Sequence, residues 1–312
     1  MIQSFAELLQ CSLASAKRQK RTVAVAAAHD AEVLIAASKA MELNLASFIL
    51  VGDVPRIREI AKEHGLHLND AELIDEKDIT AACKTAVTLV SSGRAHIVMK
   101  GIVDTSIMLK AVLDKEIGLR EARVLSHVTI FDVKDFPRLL YVTDAAMNIA
   151  PDTETKKVIL ENAVKVAHAL GNVDPIAAVV CAVEKVNEKM PATLDAKALV
   201  EMHHKGEIPG CRVVGPLALD NAVSVAAAKH KGILDPLAGN ADILLMPQIE
   251  AGNILYKALT FLAGAKSAGF IVGAKAPVVV TSRADSDETK LYSIALAVLM
   301  ADHTSNCINY HN

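Results

Sequence analysis

His96-Ile97-Val98-Met99-Lys100-Gly101-Ile102-Val103-Asp104-Thr105 is the stretch on which the fold turns. His96–Met99 reads as a short buried strand, Lys100-Gly101 ends it, and a helix runs from about Thr105 to Asp114. A strand that hands a cation and a glycine to a helix start is the repeating unit of an α/β sheet. In such sheets ligands gather beyond the carboxyl ends of the strands. Lys100 could meet a phosphate there and Gly101 could let backbone and ligand approach closely, although Gly101 equally suits a plain turn.

The same alternation continues on both sides. Upstream, Thr22–Ala26 and Ser47–Val51 read as strands, the second ending in Gly52-Asp53. Helices are expected over Asp30–Leu43, Pro55–His64 and Asp78–Ser92, with Asp78 as an N-cap. Downstream, Val124–Val133 and Leu139–Val142 suggest an antiparallel pair turning at Lys134–Pro137. After Asp152 the order repeats. A helix to Leu170 precedes a strand at Ile176–Val183, a helix at Leu194–Lys205, a strand at Val213–Leu217 and a helix through Ala228. Then come a strand at Ile243–Met246, a long helix at Ala251–Gly264, a strand at Pro277–Thr281 and a last helix from Asp287 to Ala301. The expected fold class is α/β, with mostly parallel sheets covered by helices on both faces and a hinge at Pro151-Asp152.

Composition supports this and removes several functions. The 312 residues are 52% hydrophobic but only 3% aromatic, with no Trp, so Ala, Val, Ile and Leu fill the core. That length is long for one core and comfortable for two domains. A net charge of −3 speaks against a nucleic-acid surface, and Lys17–Arg21 reads as the solvated end of the first helix. No basic start leads into an apolar signal region, and no uncharged apolar run reaches about 18 residues, so neither secretion nor a membrane partner is expected. Five dispersed cysteines without a Cys-x-x-Cys pair suit reduced thiols and a cytoplasmic location. His203-His204 sits at a polar helix end, no histidine pattern forms a metal set, and no glycine-rich nucleotide fingerprint is present.

Thr281-Ser282-Arg283-Ala284-Asp285-Ser286-Asp287-Glu288-Thr289 carries the strongest chemical signal. A strand delivers Ser282 and Arg283 to a helix start, where free N–H groups and the helix dipole favour an anion. The Arg283 fork matches two phosphate oxygens at once. Asp285 or Ser286 would cap the helix, and Asp285-x-x-Glu288 resembles a capping box. Two weaker candidates are Ala251-Gly252-Asn253, after another strand end, and Asn148, which could hydrogen-bond a carbonyl or a phosphate or lie in a linker.

Several of these stretches together resemble the phosphate butyryltransferases, within the wider family that includes the phosphate acetyltransferases. The resemblance lies in Lys100–Thr105, Ser126–Asp132, Cys181–Asn187 and Lys189–Asp195. It continues through Gly215–Asp220, Ala238–Ile243, Glu250–Asn253 and Thr281–Ser286, all in the family's order. It implies a two-domain α/β/α sandwich like that of isocitrate and isopropylmalate dehydrogenases. Domain 1 would be 1–146 plus 271–312 and domain 2 would be 147–270, with the active-site cleft between them. It also implies a homodimer or larger homo-oligomer. The implied reaction moves a short acyl group between coenzyme A and inorganic phosphate, with no metal and no cofactor beyond coenzyme A as co-substrate.

In the acetyl enzymes a Ser-Arg pair works with an Asp seven residues after the Ser. The pair maps onto Ser282 and Arg283, but the Asp position falls on Thr289. Adjacent Glu288 is therefore the candidate base, with Asp287 and Thr289 as alternatives. An Arg of those relatives on the helix after the Lys-Gly strand end is matched only by Lys110, one residue away. Arg120 and Arg123 could supply the missing guanidinium. Lys100, Gly101, Thr105, Lys110, Arg120, Arg123, Asn148, Gly252 and Asn253 form the expected phosphate- and coenzyme A-binding set. Acyl length is not written in the residues. Two other classes fit the same fold: a decarboxylating dehydrogenase, whose aspartate cluster and nicotinamide site are missing from the sequence, and a non-catalytic acyl-CoA-sensing module.

Overall fold

The computed structural model of the protein describes residues 1–282 and 285–309. The chain begins with α1 (Phe5–Arg18), β1 (Arg21–Ala26), α2 (Ala31–Glu42), β2 (Ala46–Gly52), α3 (Val54–Glu63) and β3 (Glu72–Asp75). It continues with α4 (Ile79–Ser91), β4 (Ile97–Lys100), α5 (Thr105–Val112), β5 (Ser126–Asp132), β6 (Leu140–Thr143) and α6 (Thr153–Ala169). Next come β7 (Ile176–Val180), α7 (Pro191–His204), β8 (Arg212–Leu217), α8 (Leu219–Val223), α9 (Val225–His230) and β9 (Ile243–Leu245). The chain closes with α10 (Ile249–Lys257), a π-helical turn (Ala258–Leu262), β10 (Lys266–Val272), β11 (Val278–Val279) and α11 (Asp287–Asn309).

Two compact units result. The first comprises Phe5–Arg123 and Ala268–Asn312; the second comprises Met1–Ser4 and Val124–Ser267. The C-terminal segment thus returns to the first unit. The division falls at 123/124 and 267/268, not at 146/147 and 270/271. Residues 124–146 go with the second unit because β5 pairs with β6 and β6 pairs in parallel with β9.

In the first unit the strand order is β3-β2-β1-β4-β11-β10, parallel except for β10. β1, β2 and β4 are almost wholly buried, as strands covered on both faces must be. α1, α2 and α11 pack together, with the Phe5 and Tyr292 rings 4.7 Å apart, while α4 packs with α5. Arg21 at the start of β1 meets Asp302 at 2.6 Å. Four strand-to-helix turns close on an aspartate whose side chain accepts an N–H three residues on: Asp30, Asp53, Asp78 and Asp152. Each satisfies a donor that the first helical turn leaves open.

In the second unit the order is β5-β6-β9-β7-β8, with β5 antiparallel to β6 and the rest parallel. Phe131, Val142, Ala178, Leu244 and their neighbours form its core.

Local differences from the sequence reading have simple causes. β3 is a four-residue edge strand with little burial and so carries no apolar signature. β10 lies just past the helix end expected at Gly264, where no strand was read; its start, Lys266-Ser-Ala-Gly, is too small-residued to read as a strand, yet every residue after Lys266 is buried. The helix expected through Ala228 is broken at Ser224, whose hydroxyl oxygen caps α9 by accepting from Ala227 N at 3.2 Å. The long helix expected at 251–264 stops at Lys257 and passes into the π turn. Among the described residues, no helix is long and apolar enough to cross a membrane.

Candidate active site

In the first unit the parallel register brings two of the expected stretches together. Met99 of β4 lies level with Val279 of β11, so Lys100-Gly101 and Thr281-Ser282 leave adjacent strands at the same carboxyl edge. Gly101 is required by packing, because a Cβ there would lie 2.2 Å from the Ala27 carbonyl oxygen and 2.6 Å from that of Ala26. Its N–H instead donates to Ala26 O at 2.8 Å, and Ile102 N donates to Ala27 O at 2.9 Å. Lys100 is buried, and its ammonium donates to the carbonyls of Gly101 (3.3 Å) and Val103 (3.1 Å), bracing the turn into α5. Thr105 opens that helix after Asp104, whose side chain makes no capping bond.

Ser282 is held by a reciprocal pair. Its N–H donates to Asp285 Oδ2 at 2.7 Å, and Asp285 N donates back to Ser282 O at 3.1 Å. Asp285 is buried, and buried Lys290 donates its ammonium to the Asp285 carbonyl. Ser286 caps α11, its hydroxyl oxygen accepting from Thr289 N at 3.2 Å. The N–H of Ser282 and that of Thr289 are thus engaged within the turn, not open to an anion as the sequence suggested. Arg283 lies outside the described residues.

The three base candidates differ. Asp287 is bound to Lys39 at 2.5 Å, and this hydrogen bond and charge hold its carboxyl below the ordinary range. Glu288 is exposed on the first turn of α11, where Tyr292 Oη donates to it at 3.3 Å. Thr289 has its hydroxyl 3.3 Å from Ser286 Oγ.

Of the outlying cations, Lys110 is exposed on the last turn of α5. The Arg120 backbone bridges Ala274, in the turn that joins antiparallel β10 to the start of β11. That is the amino edge of the sheet, so Arg120 is not brought beside Lys100 and Ser282. Arg123 is exposed farther along the same segment.

His29 was missed. It follows β1, which β2 flanks on one side and β4 on the other, so it stands where the chain's progress across the sheet reverses. Such switch points are the usual crevices of open α/β sheets. Its Nδ1 is sealed against Gly52 without a hydrogen-bond partner among the described residues. A lone histidine after a run of alanines gives no pattern by which to find it.

In the second unit Asn148, Gly252 and Asn253 come together around Asp144, another residue missed as a centre. Asp144 is buried and accepts N–H bonds from His127 (3.2 Å), Ala146 (2.8 Å) and Met147 (2.9 Å), and from Asn148 Nδ2 (2.6 Å). A Cβ on Gly252 would lie 2.3 Å from the Asp144 carbonyl oxygen, and Asn253 Nδ2 donates to Ala145 O at 3.2 Å. Gly252 therefore serves close backbone packing in this structure.

The class of protein, an acyltransferase, follows from the chain's relatives. The chain belongs to the family described as phosphate acetyl/butaryl transferase, which matches residues 7–85 and 76–298. It is 49% identical over 301 residues to phosphate butyryltransferase of Clostridium acetobutylicum, covering 96% of this chain and 99% of that one. With phosphate acetyltransferase of Thermotoga maritima it shares 46% over 286 residues, covering 92% and 97%. Among solved structures, a branched-chain phosphotransacylase from Enterococcus faecalis V583 superposes with a TM-score of 0.80 at 37% identity, covering 90% of this chain and 99% of that one.

Proposed function

We propose that the chain is a phosphate butyryltransferase catalysing butyryl-CoA + phosphate ⇌ butyryl phosphate + CoA. The observation that carries this is the 49% identity, over almost the whole of both chains, to an enzyme of that name. The turn held by Ser282 and Asp285 supports it, since the Ser282 stretch and buried Lys100 leave adjacent strands at one sheet edge.

In the direction that forms the thioester, the thiol of coenzyme A must lose its proton, because a free thiol near pKa ~8.5 is mostly protonated at neutral pH. Glu288, exposed on the first turn of α11, accepts that proton directly or through water. The thiolate attacks the acyl carbonyl of butyryl phosphate; the carbon–sulfur bond forms, the bond from carbon to the bridging oxygen breaks, and phosphate leaves. Arg283 binds the phosphate with its fork and Ser282 orients it. Lys100, Gly101 and Thr105 shape the first unit's binding edge, Lys110 and Arg123 supply further positive charge, and coenzyme A is a co-substrate with no other cofactor. The protein works in the cytoplasm as a homodimer or larger assembly. Exposed Ile254, Phe261 and Leu262 on α10 and the π turn supply apolar area for such an assembly.

The acetyl reading is favoured by the 46% identity to the Thermotoga maritima enzyme. Release of free thiol from acetyl-, propionyl-, butyryl- and valeryl-CoA in the presence of phosphate tests both. A maximum in kcat/KM at butyryl-CoA is expected. A maximum at acetyl-CoA replaces the reading with its relative, and no turnover of any thioester makes the chain a binding module.

A further inference from the structure

The hydroxyl of Ser286 caps α11, so the neighbouring Asp285 carboxylate is not spent on the helix it precedes. It reaches backward instead. Its Oδ2 accepts from the N–H of Ser282 at 2.7 Å, and Asp285 N donates to Ser282 O at 3.1 Å, which closes a ring between strand end and helix start. β11 ends at Val279, so the sheet ladder stops short of this N–H. A backbone amide bonded to a carboxylate is held more firmly than one bonded to a neutral acceptor, and 2.7 Å is at the short end for such a contact. Both main-chain groups of Ser282 are thus tied to Asp285, and the direction in which its side chain leaves the backbone is set by that residue.

A plain turn has no need of this chemistry. Asp285 is only 6% exposed and Lys290, on the first turn of α11, only 2%. Taking a carboxylate and an ammonium out of water is costly unless each is bonded and set against opposite charge. A neutral asparagine would satisfy the same N–H without that cost. Here the Lys290 ammonium donates to the Asp285 carbonyl oxygen, while Lys290 N donates to Ser286 O at 3.1 Å. The lysine therefore braces the ring from the helix side and brings a buried positive charge to the residue that carries the negative one.

Resting on the reading above, in which Ser282 orients the phosphate, we propose that Asp285 is a positioning residue for acyl transfer: it aims Ser282, and buried Lys290 holds it in place. Asp285 touches neither substrate nor the proton in transit, which separates it from Glu288 although both are acids of one short segment. Its contribution is geometric. A reacting group displaced by about 1 Å loses about 10²-fold in rate, so a firmly held strand end is worth a buried charge.

The test compares Asp285→Ala, Asp285→Asn and Asp285→Glu in steady-state kinetics with phosphate and butyryl-CoA both varied. Asparagine keeps an acceptor oxygen at the same reach and drops the charge; glutamate keeps the charge and moves it by one methylene. Asp285→Ala should lower kcat/KM for phosphate by about 10²-fold and Asp285→Glu by about tenfold, while Asp285→Asn should stay within about threefold of the wild type. KM for butyryl-CoA should change by less than about twofold in all three. Lys290→Met, which keeps the stem and removes the ammonium, should fall between the Asn and Ala variants. Thermal midpoints measured on the same proteins separate aim from stability: lower midpoints with kcat/KM kept would overturn the proposal. So would Asp285→Glu matching the wild type beside an Asp285→Asn as damaged as Asp285→Ala, since charge and not aim would then be at work. Should Asp285→Ala fail to fold, the Asn and Glu variants still decide. The reading beneath fails differently. No wild-type turnover of butyryl-CoA, or normal phosphate kinetics in Ser282→Ala, removes the serine's role and this proposal with it.

Discussion

Asp287 and Lys39 join the first turn of α11 to α2 through an ion pair of 2.5 Å, which removes Asp287 as a free base. The lysine's hydrogen bond and charge hold the Asp287 carboxyl low, and the same hydrogen bond raises Lys39. A carboxyl whose folded value is depressed stabilises the fold above its unfolded value, about 3.9, and that stability is lost as pH falls through the folded value. The pair is half-exposed, so solvent screening limits it to below about 1 kcal/mol. Lys39→Ala should lower the thermal midpoint near neutral pH by about 3 °C at most, and the gap should close as pH falls through the depressed carboxyl's range. A gap unchanged in acid would assign the loss to packing of the lysine stem.

Glu288, Thr289 and Ser286 can be separated by kinetics. If Glu288 takes the thiol proton, Glu288→Gln should slow the reaction by about 10²–10⁴ and remove its acidic pH limb. Ser286→Ala, which removes the cap of Thr289 N, should cost about 1 kcal/mol of stability with activity kept. Thr289→Ala should be mild, and a severe Thr289 defect beside a mild Glu288 one would transfer the role to Thr289.

Gly101→Ala should destabilise the first unit by about 1–3 kcal/mol or more, since the new methyl group meets the Ala27 carbonyl oxygen at 2.2 Å. Gly65→Ala is the control. Its φ of +63° costs about 1 kcal/mol, but nothing lies within 4 Å of the added carbon. Chemical denaturation of the two variants should rank them in that order, and equal losses would show that the β1–β4 contact yields easily.

Arg283→Ala should cut kcat/KM by about two to three orders of magnitude, with phosphate saturation most affected. Arg283→Lys should recover little of this, because an ammonium cannot reproduce the two-pronged contact. Normal phosphate kinetics in either variant would remove Arg283 from the reaction.

The strand ends at Lys100 and Ser282 could be read from sequence because their signals are local. Lys100 and Ser282 each end a short apolar run, and the rule that ligands collect at strand ends needs no knowledge of partners. Arg120 could not be placed that way. Its position depends on pairing with Ala274, more than 150 residues away, in a turn set by a strand too rich in small residues to be seen. Asn148 shows a second limit. Its residue type allows donor or acceptor, and only the carbonyl of Leu125 and the carboxylate of Asp144 decide between them.

β11 lies between β4 and β10 in the first unit, yet it is made more than 170 residues after β4. During synthesis, therefore, the first 123 residues emerge with an open strand edge beside β4 and without the cover of α11. The stretch 124–267, by contrast, leaves the ribosome as one continuous piece that contains β5 to β9 entire. The usual order, in which the N-terminal domain closes first, is inverted here. The middle of the chain can mature while its beginning waits for its end. Ribosome-bound chains halted just after residue 267 has emerged should resist protease across the second unit and be cut within the first, and only full-length chains should protect both.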